Sequence, residues 1–513
     1  MIEHLTNSEK IRDAGQRIAE LIETHAEWFF AQDGGAPVSL RTDEFDFSVA
    51  HNRLIFSCWT ERGAQVWRIL GWEFFEGKLL LEAARRTGAV RARLELIPRA
   101  RVSSGIGAVS ESRRERCERL ARLACDMVDG ARVERASLSA GSRPGQPGRY
   151  ARIILRLRRE RVAVAGIVAE SDTNNVDALL SSTLIWFSRV SERARPPFIN
   201  RLWLIVPKNC AEAASRRAAL LRDELRRAIS LYEIDEGWQK LSPVRALERD
   251  ELWTQEQEKF RRPPRTSLSA LAERIVALAP EAIDVVRARR GETLRYNGLA
   301  FARVRRVIDV ERVWFGIEGS RRRPLDDESL ADWEKLLEEL KEHRRAEAED
   351  HRHALYKLAP EAWLESILRR DITRLDPGLI IAPLYAQFRT SRVSNAAARP
   401  VDLLALRREG RLVVIELKVN EDREHVFQGV DYWQRIEAHR RSGDIERARL
   451  FGEVQIMDEP PIVYLVAPLL RFHRAFQTLA RSVAPDIEIY RFDINEDWRA
   501  GVRVVRRACA NRS

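Results

Sequence analysis

The chain has 513 residues, 45% of them hydrophobic, which is enough for roughly three or four folded domains and excludes a disordered tail. Its net charge of +11 and pI of about 9.7 weakly favour a polyanionic partner. The five cysteines lack C-x-x-C spacing, the first ten residues are polar, and no apolar stretch approaches about 20 residues, so zinc sites, disulfide frameworks, secretion and membrane spans are unexpected and a cytoplasmic location fits best.

The first hundred residues predict a helix followed by a β-rich domain. Residues 7 to 31 carry apolar side chains at helical spacing behind Asn7 and Ser8, either of which is a good N-cap. Residues 38 to 100 contain alternating and apolar runs typical of strands. We therefore expect a first domain over residues 1–100.

Residues 101–250 predict an α/β domain, and residues 251–354 a connecting segment. The first segment alternates helical patterns with apolar strands, at 109–130, 153–157, 162–168, 176–192, 201–206 and 210–230. The second combines a polar stretch with a helix, a small β segment over 284–317 and a long charged helix over 326–356. The remaining residues, 355–513, form the last predicted domain.

The most informative residues lie in that last domain, where two apolar strands flank a polar turn over residues 407–411. Side chains alternate between the faces of a strand, so Glu416 and Lys418 share one face. Pairing centred on Glu409 places Asp402 opposite Glu416, with Cβ atoms about 4.5–5.5 Å apart. The hairpin is thus predicted to gather two acids and an amine.

Two carboxylates so placed in an apolar sheet repel each other and are costly to desolvate. A divalent cation between them removes the problem, and Mg²⁺ is commonly held by one or two carboxylates and several waters. The adjacent lysine can orient or deprotonate a water. Lysine is scarce here, nine of 88 basic residues, which suggests that a compact amine is needed at Lys418.

These residues resemble the motifs of the PD-(D/E)XK nuclease superfamily, in its RecB-like and NucS-type branches. Residues 400–402 read P-V-D, with Pro400 one position earlier than usual, and residues 416–418 read E-L-K. Gln428 and Tyr432 resemble the Q-x-x-x-Y motif, and their spacing places them on one face of a helix. Glu365, in an upstream helix, resembles the extra helical carboxylate of many of these enzymes. The resemblance covers roughly residues 355 to 500.

The resemblance implies a restriction-endonuclease-like αβ core with a mixed sheet and metal-dependent hydrolysis of phosphodiester bonds in nucleic acid, with DNA favoured. It implies Mg²⁺ as cofactor, for which Mn²⁺ can substitute. The implied metal ligands are the side chains of Asp402, Glu416 and Glu365 and the carbonyl of Leu417. Lys418 is implied to position the attacking water and stabilise charge at phosphorus. Gln428 and Tyr432 are implied to fix Lys418 and a backbone phosphate.

Three further residues are candidates for nucleic-acid contact. Arg392 and Arg399 precede the aspartate strand, where they could contact phosphates, or they serve a structural purpose. Trp433 follows the motif tyrosine and either stacks on a base or packs in the core. His425 and His473 flank the site, and most histidines so placed are surface residues.

The two halves of the chain share features at offsets near 247, which suggests an internal duplication. In that hypothesis four residues of the first half replace site residues of the second: Ile153 for Asp402, Gly166 for Glu416, Val168 for Lys418 and Ser181 for Gln428. The first copy would then be a pseudonuclease retained for nucleic-acid contact or packing. Alternatively, both segments are ordinary α/β units of similar composition.

The sequence therefore predicts a mixed α/β (α+β) protein whose C-terminal nuclease-like core follows a degenerate copy and small β-rich segments. The favoured function is a metal-dependent nuclease in DNA repair or defence. One alternative is a catalytically silent nuclease-fold protein that binds nucleic acid or assembles a repair or defence complex. Another is a sheet-based interaction module unrelated to nucleic acid.

Overall fold

The protein is described here by a computed structural model. It covers residues 2–23, 27–32, 38–41, 45–50, 52–60, 63–75, 78–85, 91–98, 102–140, 147–158, 160–169, 176–193, 196–235, 237–253, 260, 268–288, 291–307, 310–317, 322–388 and 400–512. Within these ranges the chain is a mixed α+β protein with four sheets. None of the helices in these ranges has the length and apolar character needed to cross a membrane.

The first unit is an eight-stranded antiparallel sheet with one helix against it. Its elements are β1 (Glu3–His4), α1 (Ser8–Glu23), β2 (Glu27–Gln32), β3 (Val38–Arg41), β4 (Phe45–Ala50), β5 (Arg53–Thr60), β6 (Gly63–Phe75), β7 (Lys78–Arg85) and β8 (Arg91–Pro98). The order is β3-β2-β8-β7-β6-β5-β4, with β1 on β6. The helix predicted over residues 7 to 31 ends at Glu23, because Trp28 and Phe30 join the sheet and bury their rings in its core.

The second unit is a six-stranded mixed sheet with helices on both faces. Its elements are α2 (Val102–Asp126), β9 (Arg132–Ala140), β10 (Pro147–Arg156), β11 (Arg161–Ile167), α3 (Val176–Arg193), β12 (Ile199–Pro207), α4 (Ala211–Ala218), α5 (Asp223–Ala228), β13 (Ile229–Ile234) and β14 (Leu241–Val244). The strands lie in sequence order across the sheet. Strand β11 is apolar throughout its buried part, as a strand covered on both faces must be.

The third unit is a small five-stranded antiparallel sheet. Its elements are α6 (Ala270–Val276), β15 (Ile283–Ala288), β16 (Gly291–Tyr296), β17 (Leu299–Val307), β18 (Val310–Phe315), β19 (Arg323–Pro324), α7 (Leu330–His343) and α8 (Ala354–Lys357). The charged helix predicted over residues 326–356 is shorter and ends at His343, because the next residue, Arg344, is fully buried and bonds to loop carbonyls.

The fourth unit is again a six-stranded mixed sheet. Its elements are α9 (Pro360–Arg370), β20 (Tyr385–Phe388), β21 (Val401–Leu406), β22 (Leu412–Leu417), α10 (His425–Arg441), α11 (Asp444–Arg447), β23 (Ile462–Pro468), α12 (Phe476–Ser482), β24 (Ile489–Ile494) and β25 (Val504–Cys509). Strands β22 and β23 are wholly buried between α9 on one face and α10 on the other.

The second and fourth units have the same topology, as the predicted duplication requires. In each, six strands lie in sequence order and pair antiparallel, antiparallel, parallel, parallel and antiparallel. In each, a helix precedes the first strand and a long helix connects the third strand to the fourth. A shared pairing sequence of this length is stronger support for a common origin than similar composition is.

Strand register corrects the predicted residue matches. Strands β12 and β23 both end in proline, and the leucines three residues earlier pair with Ala165 and Glu416 respectively. Ala165 in turn pairs with Arg152, so Arg152 occupies the position of Asp402. By the same register Ile167 occupies the position of Lys418.

The matches to Ile153, Gly166 and Val168 were therefore wrong by one residue. A shift of one along a strand moves a side chain to the opposite face, and Ile153 and Val168 pack on the α2 side. Arg152 hydrogen-bonds to Ser182 on α3, so its side chain lies on the opposite face, towards α3. An offset between similar segments carries no information about the face on which a side chain lies.

The second and fourth units pack against each other around equivalent segments. Leu221 and Val483, each just beyond its unit's counterpart helix, form an antiparallel bridge. Arg217 donates to Asp177 of its own unit and to Asp431 of the fourth. One apolar core contains residues of both units. Contacts between equivalent segments are typical of a two-fold dimer, and here both partners belong to one chain.

Arg344 joins the small sheet to the fourth unit. Its guanidinium is fully buried and donates to the carbonyls of Asn297, Leu355 and Ala359 at 3.0, 2.7 and 3.3 Å. It lies over the ring of Trp363 on α9, 4.4 Å from the ring centroid. Burial, and then the charge of Arg499, lowers its pKa to about 9.

Replacing Arg344 with Met is expected to destabilise the protein by about 3 kcal/mol, because several buried carbonyls lose their donor at once. Denaturant unfolding followed by tryptophan fluorescence measures the change. Arg345→Met at the neighbouring exposed position is the matched control and should have little effect. Equal stability of the two variants would contradict a supporting role for Arg344.

Candidate active site

The predicted hairpin forms strands β21 and β22, joined by a turn in which the N–H of Arg407 donates to the carbonyl of Arg411 at 2.9 Å. The pairs run from Leu406 with Leu412 to Leu403 with Ile415. One further step in this register places Asp402 opposite Glu416. The tight turn fixes the register and so brings the two acids together.

The Asp402 and Glu416 carboxyl groups interact directly at the end of the hairpin. Asp402 Oδ2 accepts a hydrogen bond of 3.0 Å from the N–H of Leu417, so this backbone segment orients the acid. Glu416 is 1% exposed, and its Oε2 atom has no hydrogen-bond partner among the described residues. Burial, and then the charge of Glu416, raises the pKa of Asp402 well above its ordinary value.

Lys418 lies beside this pair. Its Nζ atom is 2.5 Å from Glu416 Oε1 and 3.9 Å from Asp422 Oδ2. Burial alone would lower its pKa, but the charges of Glu416, Glu361 and Asp402 outweigh burial and raise it above the ordinary value. Lys418 is therefore held as a cation, which favours orientation and charge stabilisation over the deprotonation of water.

The helical carboxylate at the site is Glu361, and the prediction for Glu365 was wrong. Glu361 is exposed to solvent, yet enough protein surrounds it that burial raises its pKa, with Asp402 adding to the rise and Lys418 opposing it. Glu365 is 2% exposed and pairs at 2.7 Å with Arg295 of the small sheet. Its carboxylate therefore forms an ion pair that links the fourth unit to the small sheet.

The reason lies in the placement of α9. Glu361 and Glu365 are one turn apart, so sequence spacing puts both on roughly the same face. They also differ by about 6 Å along the helix axis. The first turn of α9 lies at the C-terminal end of β22, near Lys418. The second turn reaches Arg295, which also pairs with Asp284 at 3.0 Å. Only the position of the small sheet distinguishes the two glutamates.

Helix α10 covers the acids with the two other predicted residues. Tyr432 is 3% exposed, and its pKa is raised by burial and by the charges of Glu416 and Asp402. Gln428 lies one turn earlier on the same helix and is also buried, with its Oε1 atom unpartnered among the described residues. Gly429 permits this close approach, since a Cβ there would lie 2.6 Å from Leu465 of β23.

Trp433 packs in the core, which is the second of its two predicted roles, and it is not placed to stack on a base. It is 2% exposed, its Nε1 donates to the carbonyl of Pro461 at 2.8 Å, and its ring meets Trp253 edge-on. Arg392 and Arg399 lie outside the described residues. His425 is buried rather than superficial and lies 3.3 Å from the carbonyl of Glu416, with its pKa lowered to about 3 by burial and by Lys418.

The donor set fits a hard cation held by few protein ligands. Among the described residues, no group of three or more His, Cys, Asp and Glu side chains is arranged to hold a metal ion. Mg²⁺ needs only one or two carboxylates, because water completes its shell. Asp402 and Glu416 supply these, and the unpartnered Oε2 of Glu416 is an atom that a cation would satisfy.

A separate, electropositive cavity lies on the small sheet. Arg303, Arg305, Arg322 and Trp314 line a cavity of about 150 Å³. Arg303 and Trp314 are register partners on β17 and β18, so their side chains share a face. The Nε atom of Arg303 is buried without a hydrogen-bond partner in the described ranges, and burial and the neighbouring arginines lower its pKa.

No protein-family model, curated protein or solved structure matches the chain. The likeness to PD-(D/E)XK nucleases thus depends on the motif residues and on their geometry. The residues brought together are Asp402, Glu416, the Leu417 backbone, Lys418, Tyr432 and Glu361, and Gln428 lies one turn from Tyr432 on α10.

Asp402→Asn is expected to stabilise the chelator-treated protein at neutral pH. The pKa of Asp402 is raised in the folded state, so the folded protein carries an unfavourable ionised pair above that pKa and regains stability as pH falls through it. We expect a Tm about 2–4 °C above wild type for each kcal/mol relieved.

The difference should shrink in mild acid, where wild-type Asp402 becomes protonated. Thermal denaturation in EDTA at both pH values measures it. Asp327→Asn, at an exposed position, controls for the loss of one charge. A neutral-pH Tm below that of wild type would show that the acids do not repel each other.

Proposed function

We propose that the protein is a metal-dependent nuclease that hydrolyses phosphodiester bonds in nucleic acid, with DNA as the favoured substrate. Mg²⁺ is the proposed cofactor, and Mn²⁺ can replace it. The proposed setting is the cytoplasm, in DNA repair or in defence against foreign DNA. The proposal is supported most by one observation: the half-buried carboxyl group of Asp402, the buried one of Glu416 and the ammonium of Lys418 converge at the end of one hairpin.

The residues of the site divide the chemistry between them. A divalent cation, when bound, would supply Lewis-acid activation and charge neutralisation. Asp402 and Glu416 would hold it, and Glu361 would orient its hydration shell from the exposed side. Lys418, already a cation, would orient the attacking water and stabilise charge on the phosphoryl oxygens. Tyr432 excludes bulk solvent from the pair.

A nucleic-acid substrate is supported by features outside the acids. The chain has a net charge of +11, and the cavity on the small sheet gathers three arginines around Trp314. Guanidinium groups suit phosphate, and the half-buried indole that lines the cavity suits a base. An acidic cation site combined with a basic surface is the combination expected of an enzyme that cuts a polyanion.

Lys418→Ala is expected to lower cleavage about 10²–10³-fold or more, because a charge aimed at the transition state is lost. The test uses labelled single-stranded, double-stranded and branched DNA, and RNA, with Mg²⁺, Mn²⁺ or EDTA. Lys335→Ala, at an exposed lysine on α7, is the matched control and should cut like wild type. Unchanged cleavage by the Lys418 variant would falsify the mechanism.

The alternative is a catalytically silent protein that binds nucleic acid or assembles a complex. One observation favours it: the described residues contain no preformed three-ligand metal group. It predicts binding to DNA or RNA without cleavage under any metal condition. The same assays therefore separate the two functions, since only the nuclease consumes its substrate.

Glu361 and Glu365 provide a further test, because they are one turn apart on the same helix but have different surroundings. Glu361→Gln should lower metal affinity or turnover about 10–100-fold with little change in stability. Glu365→Gln should cost about 2 kcal/mol of stability by weakening the buried pair with Arg295, without altering turnover per folded molecule. Cleavage rates and denaturant midpoints measured on both variants decide, and the reverse pattern would restore Glu365 to the site.

A further inference from the structure

The second unit carries, at the position equivalent to the acidic site, a site of opposite charge. Register places Arg152 where Asp402 lies, Ala165 where Glu416 lies and Ile167 where Lys418 lies. The two carboxylates and the lysine are thus replaced by one guanidinium and two apolar side chains. The framework that suits a cation in the fourth unit suits an anion in the second.

The guanidinium of Arg152 is held in place by helix α3. Its Nη2 atom donates to Ser182 Oγ at 3.0 Å, and its Cζ atom lies 5.9 Å from the ring centroid of Trp186. Arg189, one turn further on the same helix face, is exposed. No ion pair with a carboxylate involves Arg152 or Arg189 within the described ranges.

The loop between β22 and α10, residues 418–424, adds a third guanidinium. Arg423 is exposed and follows Asp422, whose carboxylate is 3.9 Å from Lys418 Nζ. Burial lowers the pKa of Arg152, and the nearby charges of Arg189 and Arg423 lower it further. Burial lowers the pKa of His473, and Arg423, Arg474 and Arg189 lower it further, against an opposing effect of Glu421. The basic cluster therefore spans the second and fourth units next to the active site.

We propose that Arg152, Arg189 and Arg423 form a phosphate-binding site, built from the degenerate copy of the active site, which holds the nucleic-acid backbone beside the scissile bond. This inference rests on the part of the proposed function that makes nucleic acid the substrate. The second unit then serves as a positioning element: it contributes no reacting group and fixes the substrate relative to Lys418.

The test measures binding of fluorescein-labelled duplex and single-stranded DNA to the full-length protein in EDTA over a range of salt concentrations. Arg152→Gln, Arg189→Gln and Arg423→Gln should each weaken binding about tenfold. Each should also reduce the slope of log affinity against log salt by about one unit, as expected for one lost phosphate contact. A purely structural role would not change that slope.

Arg408→Gln is the matched control, since Arg408 is exposed on the hairpin turn at the opposite end of β21 and β22. Arg152 contributes to packing, so the exposed positions Arg189 and Arg423 keep the test decisive if its variant misfolds. Wild-type affinity and slope in those two variants would overturn the phosphate site while leaving the nuclease proposal intact. Weakened binding in a protein that never cuts would support the site and reject the nuclease.

Discussion

The candidate site of the fourth unit is built around two carboxyl groups that repel each other inside a sheet. The turn over residues 407–411 fixes the register of β21 and β22 and so places Asp402 beside Glu416. The surrounding positions are apolar and buried, so water cannot screen the pair. The neighbouring ammonium of Lys418 compensates this repulsion only in part, and the remaining cost is the physical basis of the proposal that the same atoms hold a cation.

The second unit shows the same scaffold without that cost. It has the same strand order and pairing, yet its equivalent strands carry Arg152, Ala165 and Ile167 in place of the acids and lysine. This unit lacks the repelling pair, and its core merges with that of the fourth unit. The chain thereby presents, within one polypeptide, the symmetric packing of a dimer and an asymmetric distribution of charge.

The charged residues that hold the units together are different from those at the site. Both sets include glutamates, so residue type alone does not distinguish them. Glu365 pairs with Arg295, and Arg344 bonds to loop carbonyls over Trp363, so both fix the small sheet against α9. Helix α9 in turn directs Glu361 towards Lys418. The small sheet thus contributes to the geometry of the site without supplying a residue to it, because it sets the position of the helix.

The sequence by itself determined the hairpin, its register and the shared face of Glu416 and Lys418, because alternation along a strand and the length of a turn are local properties. It also indicated the helical pair Gln428 and Tyr432. Tertiary structure decided which glutamate of α9 reaches the site, that Trp433 is buried in the core, and that Arg152 replaces Asp402 in the second unit. Those outcomes depend on how distant segments pack, and spacing along the chain does not specify the neighbour that a side chain meets.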